Sequence, residues 1–296
     1  MAKILDYLRL LRLPTVFTAM ADIVLGFLLT RESLQPLLYF GMLLLASSCL
    51  YLSGMIFNDV FDWQIDLQQR PTRPIPSGRI SVSSAVWLGL LLVLAGLGAA
   101  NIVGPNSLTV AGVLVLAIFA YNGFFKKTSM GPVAMGGCRF LNVMLGASGL
   151  ANLASIWQLP QIYVATGLGI YITGVTLFAR HEAKCSNHSH LLSAAGVINL
   201  GLAILITSII HWPDGDQVLV LLLLGIIILT INRRLIAAYF DPVPEKVQPA
   251  VKMLLLSLIL LDATIVLLKT GNLVYAMVTA TLLIPAYVLG RWIPLT

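Results

Sequence analysis

Residues 42–66 read MLLLASSCLYLSGMIFNDVFDWQID, and the change of character at Asn58 decides how the chain is built. No charged residue lies between Glu32 and Asp59, a stretch long enough to cross the roughly 30 Å hydrocarbon layer of a bilayer as a helix. Directly after it come Asp59, Asp62 and Asp66, spaced i, i+3 and i+7, so a helix that continues through them carries all three on one face. Three crowded carboxylates repel one another and are most stable with a cation bound. Hard oxygen donors suit Mg²⁺, which commonly bridges one or two carboxylates to substrate phosphates. The blander alternative is a solvated helix end.

The rest of the chain agrees with a membrane setting. Of 296 residues, 58% are hydrophobic and 10% charged, and the mean hydropathy is +0.93, which excludes an ordinary water-soluble globule. Ten apolar stretches fall near residues 14–30, 36–57, 83–100, 107–125, 130–153, 161–179, 191–211, 217–231, 252–269 and 273–290, the eighth being the shortest. An N-terminus in the cytoplasm leaves only Arg31 and Lys269 outside and Arg139 within a span; the rest of the 18 Lys+Arg then lie inside, as the positive-inside rule expects. The net charge of +6 therefore marks topology, not nucleic-acid binding. The chain reads as one multi-pass domain over 1–296 in the cell (inner) membrane, with both polar loops cytoplasmic. Tyr51-Leu52-Ser53-Gly54 matches Tyr171-Ile172-Thr173-Gly174 at a spacing of 120, so two weakly related halves, about 1–125 and 130–296, are expected.

Downstream of the acids lies Arg70-Pro71-Thr72-Arg73-Pro74-Ile75-Pro76-Ser77-Gly78-Arg79. Its guanidiniums offer paired donors suited to phosphate, and an acidic triplet beside a basic loop reads as a magnesium diphosphate site. Contact with anionic lipid headgroups is the alternative. Asn58, Asp59, Asp62 and Asp66, with Arg70, Pro71, Arg73, Pro74, Ser77 and Gly78, resemble the N-D-x-x-D-x-x-x-D and R-P-x-R-P-x-x-S-G signature of the UbiA superfamily of intramembrane prenyltransferases. Tyr121–Thr128, and Gly136-Gly137-Cys138-Arg139 with Asn142, are similar to its fourth and fifth helices. The likeness runs from about Leu10 to Arg180.

The resemblance implies an all-α bundle of nine transmembrane helices, against ten candidate stretches, around a central cavity. It also implies Mg²⁺-dependent transfer of a prenyl group from an isoprenoid diphosphate to an acceptor the sequence does not identify. Asp59, Asp62 and Asp66 would hold metal. Arg73, Lys126, Lys127 and Arg139 would hold diphosphate, and Asn58 would orient the cluster. Tyr51, Tyr121 and Tyr171 are candidate cavity aromatics, able to face an allylic cation.

The family's second acidic signature should fall within Phe178–His190, where only Glu182 is a carboxylate, among Arg180, His181 and Lys184. This departure resembles the divergent EboC-like branch. Arg180 and Lys184 are expected to meet the phosphates there, with Glu182 orienting one of them or completing a metal shell. His181, Cys185, His188 and His190 lack a typical metal-ligand spacing. Of the polar residues inside spans, Arg139 is expected to contact diphosphate or pair with Asp22, while Asp262 has no motif around it and would bond neighbouring helices. The eroded second motif keeps a rival open, a non-catalytic isoprenoid- or lipid-binding protein supporting metabolite export. A secondary transporter is a third reading, against which the full first motif speaks.

Overall fold

The computed structural model describes residues 2–149, 153–158, 160–180, 182, 185–212 and 217–293, and among them every regular element is helical. The helices are α1 (Ala2–Leu10), α2 (Val16–Thr30), α3 (Leu37–Gln69), α4 (Val82–Val103), α5 (Pro105–Ala120), α6 (Gly131–Ala147), the single turn α7 (Leu153–Ile156), α8 (Gln161–Ala179), α9 (His188–Thr207), α10 (Gln217–Phe240), α11 (Pro244–Thr270), α12 (Leu273–Thr281) and α13 (Leu283–Leu289). Eight helices among the described residues are long and apolar enough to cross a membrane, so the chain is an integral multi-pass membrane protein. The other two predicted stretches become the shorter α6 and the broken pair α12–α13. The break falls at Leu282 because Pro285 can neither donate to the carbonyl of Thr281 nor fit its ring beside it. The eighth stretch is longer than expected, α10 running 24 residues to Phe240.

Burial sorts the bundle. The spans of α2 and α11 are 78% and 72% buried, against 22% for α4 and 28% for α10, so α2 and α11 form the centre while α4 and α10 turn leucine-rich faces outward. Between lipid tails and leucines there is little hydrophobic gain, so helices associate mainly by close packing. Gly26 on α2 meets Gly146 on α6, where an added Cβ would run into the Val143 carbonyl and lie 2.9 Å from Gly146 Cα. On its other side α6 presses Gly136 against Gly169 of α8, with no room for a Cβ at Gly136. Backbone contact on both flanks fixes α6, the helix that carries Arg139 and Asn142.

α3 is 33 residues long, about 50 Å at 1.5 Å per residue, longer than a bilayer core. Its surplus is the segment from Asn58 to Gln69. The acidic face therefore stands at one end of the bundle on an uninterrupted helix.

Candidate active site

A cavity of about 410 Å³ opens at the end of the bundle where α3, α5 and α8 finish. Asn58, Arg12, Arg70, Lys126, Arg180 and Glu182 form its polar mouth. Leu114, Ile118, Met135, Ile172, Val175 and Leu255 make an apolar wall, and Tyr51, Arg139 and Asn142 lie further along it. Arg139 is two helical turns inside α6, about 12 Å from its start.

The first motif is gathered, but not as a free acidic triplet. Arg73 Nη1 donates to Asp59 Oδ1 at 3.2 Å and to Asp66 Oδ2 at 2.6 Å. Asp59 Oδ1 also accepts from Arg12 Nη2 at 3.0 Å. Asp62 takes Lys126 as its partner, with Lys127 Nζ 3.9 Å from its other oxygen. Four basic side chains thus divide the three acids, and among the described residues no three His, Cys, Asp or Glu groups gather as a metal site would. The donor set still fits a hard cation. Asp59 and Asp66, two turns apart, converge on one nitrogen of Arg73, so a cationic centre already stands where two carboxylates can share it.

Lys126 reaches the mouth through a local irregularity. Residues Tyr121–Phe125 form a π-helical turn at the end of α5, a geometry that recurs at functional sites, and the Lys126 amide closes it on the Tyr121 carbonyl at 2.8 Å. Lys126 Nζ then donates to Asn58 Oδ1 at 3.0 Å. Burial pushes the ammonium pKa down, and the hydrogen bond to Asp62 opposes that shift. Asn58 donates to Asn122 Oδ1 at 3.2 Å, and Asn122 in turn donates to the Gly54 carbonyl at 3.3 Å, so the orientation of Asn58 is set by two neighbours.

Of the residues expected from sequence, Asn58, Lys126, Arg139, Arg180 and Glu182 line the cavity. Asp59, Asp62 and Asp66 do not line it, Asp59 and Asp62 being paired with the lining residues Arg12 and Lys126; Arg73 bridges Asp59 and Asp66 instead of lining the cavity, and Lys127 is 62% exposed outside it. Lys184 and His181 lie outside the described residues. Tyr51 and Tyr121 line the cavity, whereas Tyr171 is fully buried and donates to the Leu254 carbonyl at 2.9 Å. Arg139 is paired, its Nη1 2.5 Å from Asp22 Oδ2 and its Nη2 2.9 Å from Thr18 Oγ1. Two contributors were not singled out by sequence reading, Arg12 and Asn122. In the sequence Arg12 is one of many positive charges on the inner side, and nothing in its local sequence points to Asp59.

The fold agrees with what the chain is similar to. The model of the UbiA prenyltransferase family matches residues 19–242. The digeranylgeranylglyceryl phosphate synthase of Saccharolobus solfataricus is 29% identical over 57% of this chain and 59% of its own length; the chain thus spans less than two thirds of that relative. A UbiA homolog from Aeropyrum pernix K1 superposes with a TM-score of 0.70 at 14% identity, over 85% of this chain and 97% of that one. A UbiA homolog from Archaeoglobus fulgidus, bound to DMAPP and Mg²⁺, does so with 0.69 at 14% identity, over 93% and 99%. At such identities the two structures speak for the fold alone, while the family match covers most of the sequence: the chain belongs to the UbiA prenyltransferase family.

Proposed function

We propose that this protein transfers a prenyl group from an isoprenoid diphosphate to a lipid acceptor within the membrane, with Mg²⁺ as cofactor. The observation that carries the reading is a single cavity whose mouth is ringed by Arg12, Arg70, Lys126 and Arg180 and whose wall is apolar. An isoprenoid diphosphate has that same division into a polyanionic head and a hydrocarbon tail.

Asp59, Asp62 and Asp66 would hold the metal, with Arg73 giving up its place between them. Bound there, the ion supplies positive charge to the departing diphosphate. Lys126 and Arg180 bind the phosphates directly, and Arg12 and Arg70 add charge at the mouth. Asn58, held by Asn122 and Lys126, keeps the acidic face in register. The wall of Leu, Ile, Val and Met residues keeps water from the reacting carbon, and Tyr51 and Tyr121 offer ring faces to an allylic cation. The acceptor is read as a glycerophosphate-type lipid, after the activity for which the Saccharolobus relative is named. The motif loops are read as cytoplasmic, on the charge asymmetry of the sequence.

A second reading is favoured by one observation, that Phe178–His190 offers Glu182 as its sole carboxylate while Arg180 faces the cavity. On it, the protein binds isoprenoid diphosphate without turnover. Incubating the purified protein with labelled dimethylallyl, geranyl and geranylgeranyl diphosphates, a glycerophosphate lipid and Mg²⁺ separates the two. Diphosphate release with a prenylated lipid product is expected. Saturable binding with no release would leave the non-catalytic reading standing, and no binding would reject both.

A further inference from the structure

Deep in the bundle, three helices bring together two carboxylic acids and one cation. Asp22 on α2 and Asp262 on α11 are fully buried, and Arg139 on α6 is 8% exposed. Asp22 Oδ2 is well served, accepting from Arg139 Nη1 at 2.5 Å and from Asn142 Nδ2 at 2.8 Å. The other donors nearby are committed. Arg139 Nη2 goes to Thr18 at 2.9 Å, and Ser47 donates to Asn142 Oδ1 at 2.7 Å. No protein donor reaches Asp22 Oδ1 or either oxygen of Asp262, yet the two carboxyl groups are close enough across the packed α2 and α11 to act on each other.

Two ionised carboxylates offer only acceptors to each other, so a contact between them is repulsive unless one carries a proton. Charge balance leads to the same place. Two carboxylates against one guanidinium leave a full, uncompensated negative charge far from water, which is strongly unfavourable. One proton removes that charge and supplies the missing donor. The remaining groups facing the cluster do neither: Tyr51 is the other titratable side chain acting on Arg139, and Thr18, Ser47 and Asn142 are neutral.

We infer that Asp22 and Asp262 share one proton and that the pair positions Arg139, holding its guanidinium against the cavity wall as part of a neutral cluster. Asp262 does not touch the cavity. It acts through Asp22: with its proton in place, Asp22 keeps Oδ2 turned to Arg139 and Asn142, both of which line the cavity, and the guanidinium edge not used by Asp22 and Thr18 is left for a ligand. Asp262 is thus a positioning residue for Arg139. Its effect on ligand binding rests on the proposed isoprenoid-diphosphate reading; the shared proton does not.

Infrared spectroscopy of the full chain at neutral pH tests the proton first. The wild type should show one carboxylic-acid C=O band, and Asp262→Asn, whose amide can donate to Asp22 in the proton's stead, should lose it while staying folded. No such band in the wild type, or a band unchanged in Asp262→Asn, would overturn the inference. Titration with geranyl thiodiphosphate tests positioning. Asp262→Leu should weaken binding about tenfold in the wild-type background and less than about twofold in Arg139→Gln, the non-additivity expected of groups acting through one another, with Asp262→Asn close to wild type. Equal losses in both backgrounds would show that Asp262 does not act through Arg139. A wild type that binds no geranyl thiodiphosphate but shows the band would instead count against the proposed function.

Discussion

Arg12 Nη2 and Asp59 Oδ1 meet at 3.0 Å across 47 positions of sequence, and Arg12 does so from a left-handed backbone, φ 44° and ψ 48°. That conformation ends α1 in the way a helix-terminating Gly or Asn would, but an arginine held there carries strain of about 1–2 kcal/mol. The Arg12 carbonyl is pinned by the amide and hydroxyl of Thr15, at 3.1 and 2.8 Å. Local strain is sustained where its surroundings over-determine it and clusters at functional sites. Here it delivers a guanidinium to both the cavity and the first acid of the motif.

Arg12→Gly should therefore separate stability from binding. The substitution relieves the backbone and removes the cation, so thermal stability is expected to hold or rise while affinity for an isoprenoid diphosphate falls, by about 1.5–3 kcal/mol if a charged hydrogen bond to phosphate is lost. Thermal melting and diphosphate titration on one preparation check both halves. Equal affinity in the variant would remove Arg12 from the site.

Asp62→Asn and Asp66→Asn should each abolish the Mg²⁺-dependent part of geranyl diphosphate binding, and chelation with EDTA should remove the same part from the wild type. Removing Asp66 leaves Arg73 with Asp59 alone, so this variant should retain more metal-independent binding than Asp62→Asn, which strips Lys126 of its carboxylate partner. Titrations with and without Mg²⁺ decide it. Wild-type metal dependence in both variants would show that the ion sits elsewhere.

Replacing Arg180 and Lys184 together with Gln should weaken diphosphate binding markedly with the first motif intact, because Arg180 faces the cavity. The comparison is made at matched ionic strength, since exposed charges contribute little once screened. Retained affinity would mean that these two charges serve topology alone.

Gly26→Val should destabilise the fold without a direct effect on the mouth. A side chain at Gly26 meets the backbone of α6, which cannot move aside as a flexible side chain could, and overpacking of this kind typically costs about 1–3 kcal/mol. Gly41→Ala, with open space around the added carbon, is the control and should melt like the wild type.

Much of this was legible in the sequence because the signals were local. The apolar run into Asn58 marks α3 and its acidic face, and the Tyr121–Lys127 segment marks the end of α5. Arg12 was not legible, since its partner is set by how α1 turns into α2. Nor was the division of the acids: spacing alone puts Asp59, Asp62 and Asp66 on one helical face, but which cations face them depends on the return of the Arg73 loop and on the π turn before Lys126. Asp262 stood out as a costly charge in an apolar helix, yet only the packing of α11 against α2 shows that it faces Asp22.

The glycine contacts on either side of α6 have a bearing on how the cavity handles molecules of different shape. Where backbone touches backbone there is no side chain to swing aside, so the rail carrying Arg139 and Asn142 works as a fixed gauge. The mouth is built the other way, from long Arg and Lys side chains at helix ends, of which Arg12 and Lys126 hold carboxylates that another anion could replace. On the proposed reading recognition is divided by depth: adjustment takes place at the rim, while the packed α6 holds Arg139 and Asn142 at a fixed place within the cavity.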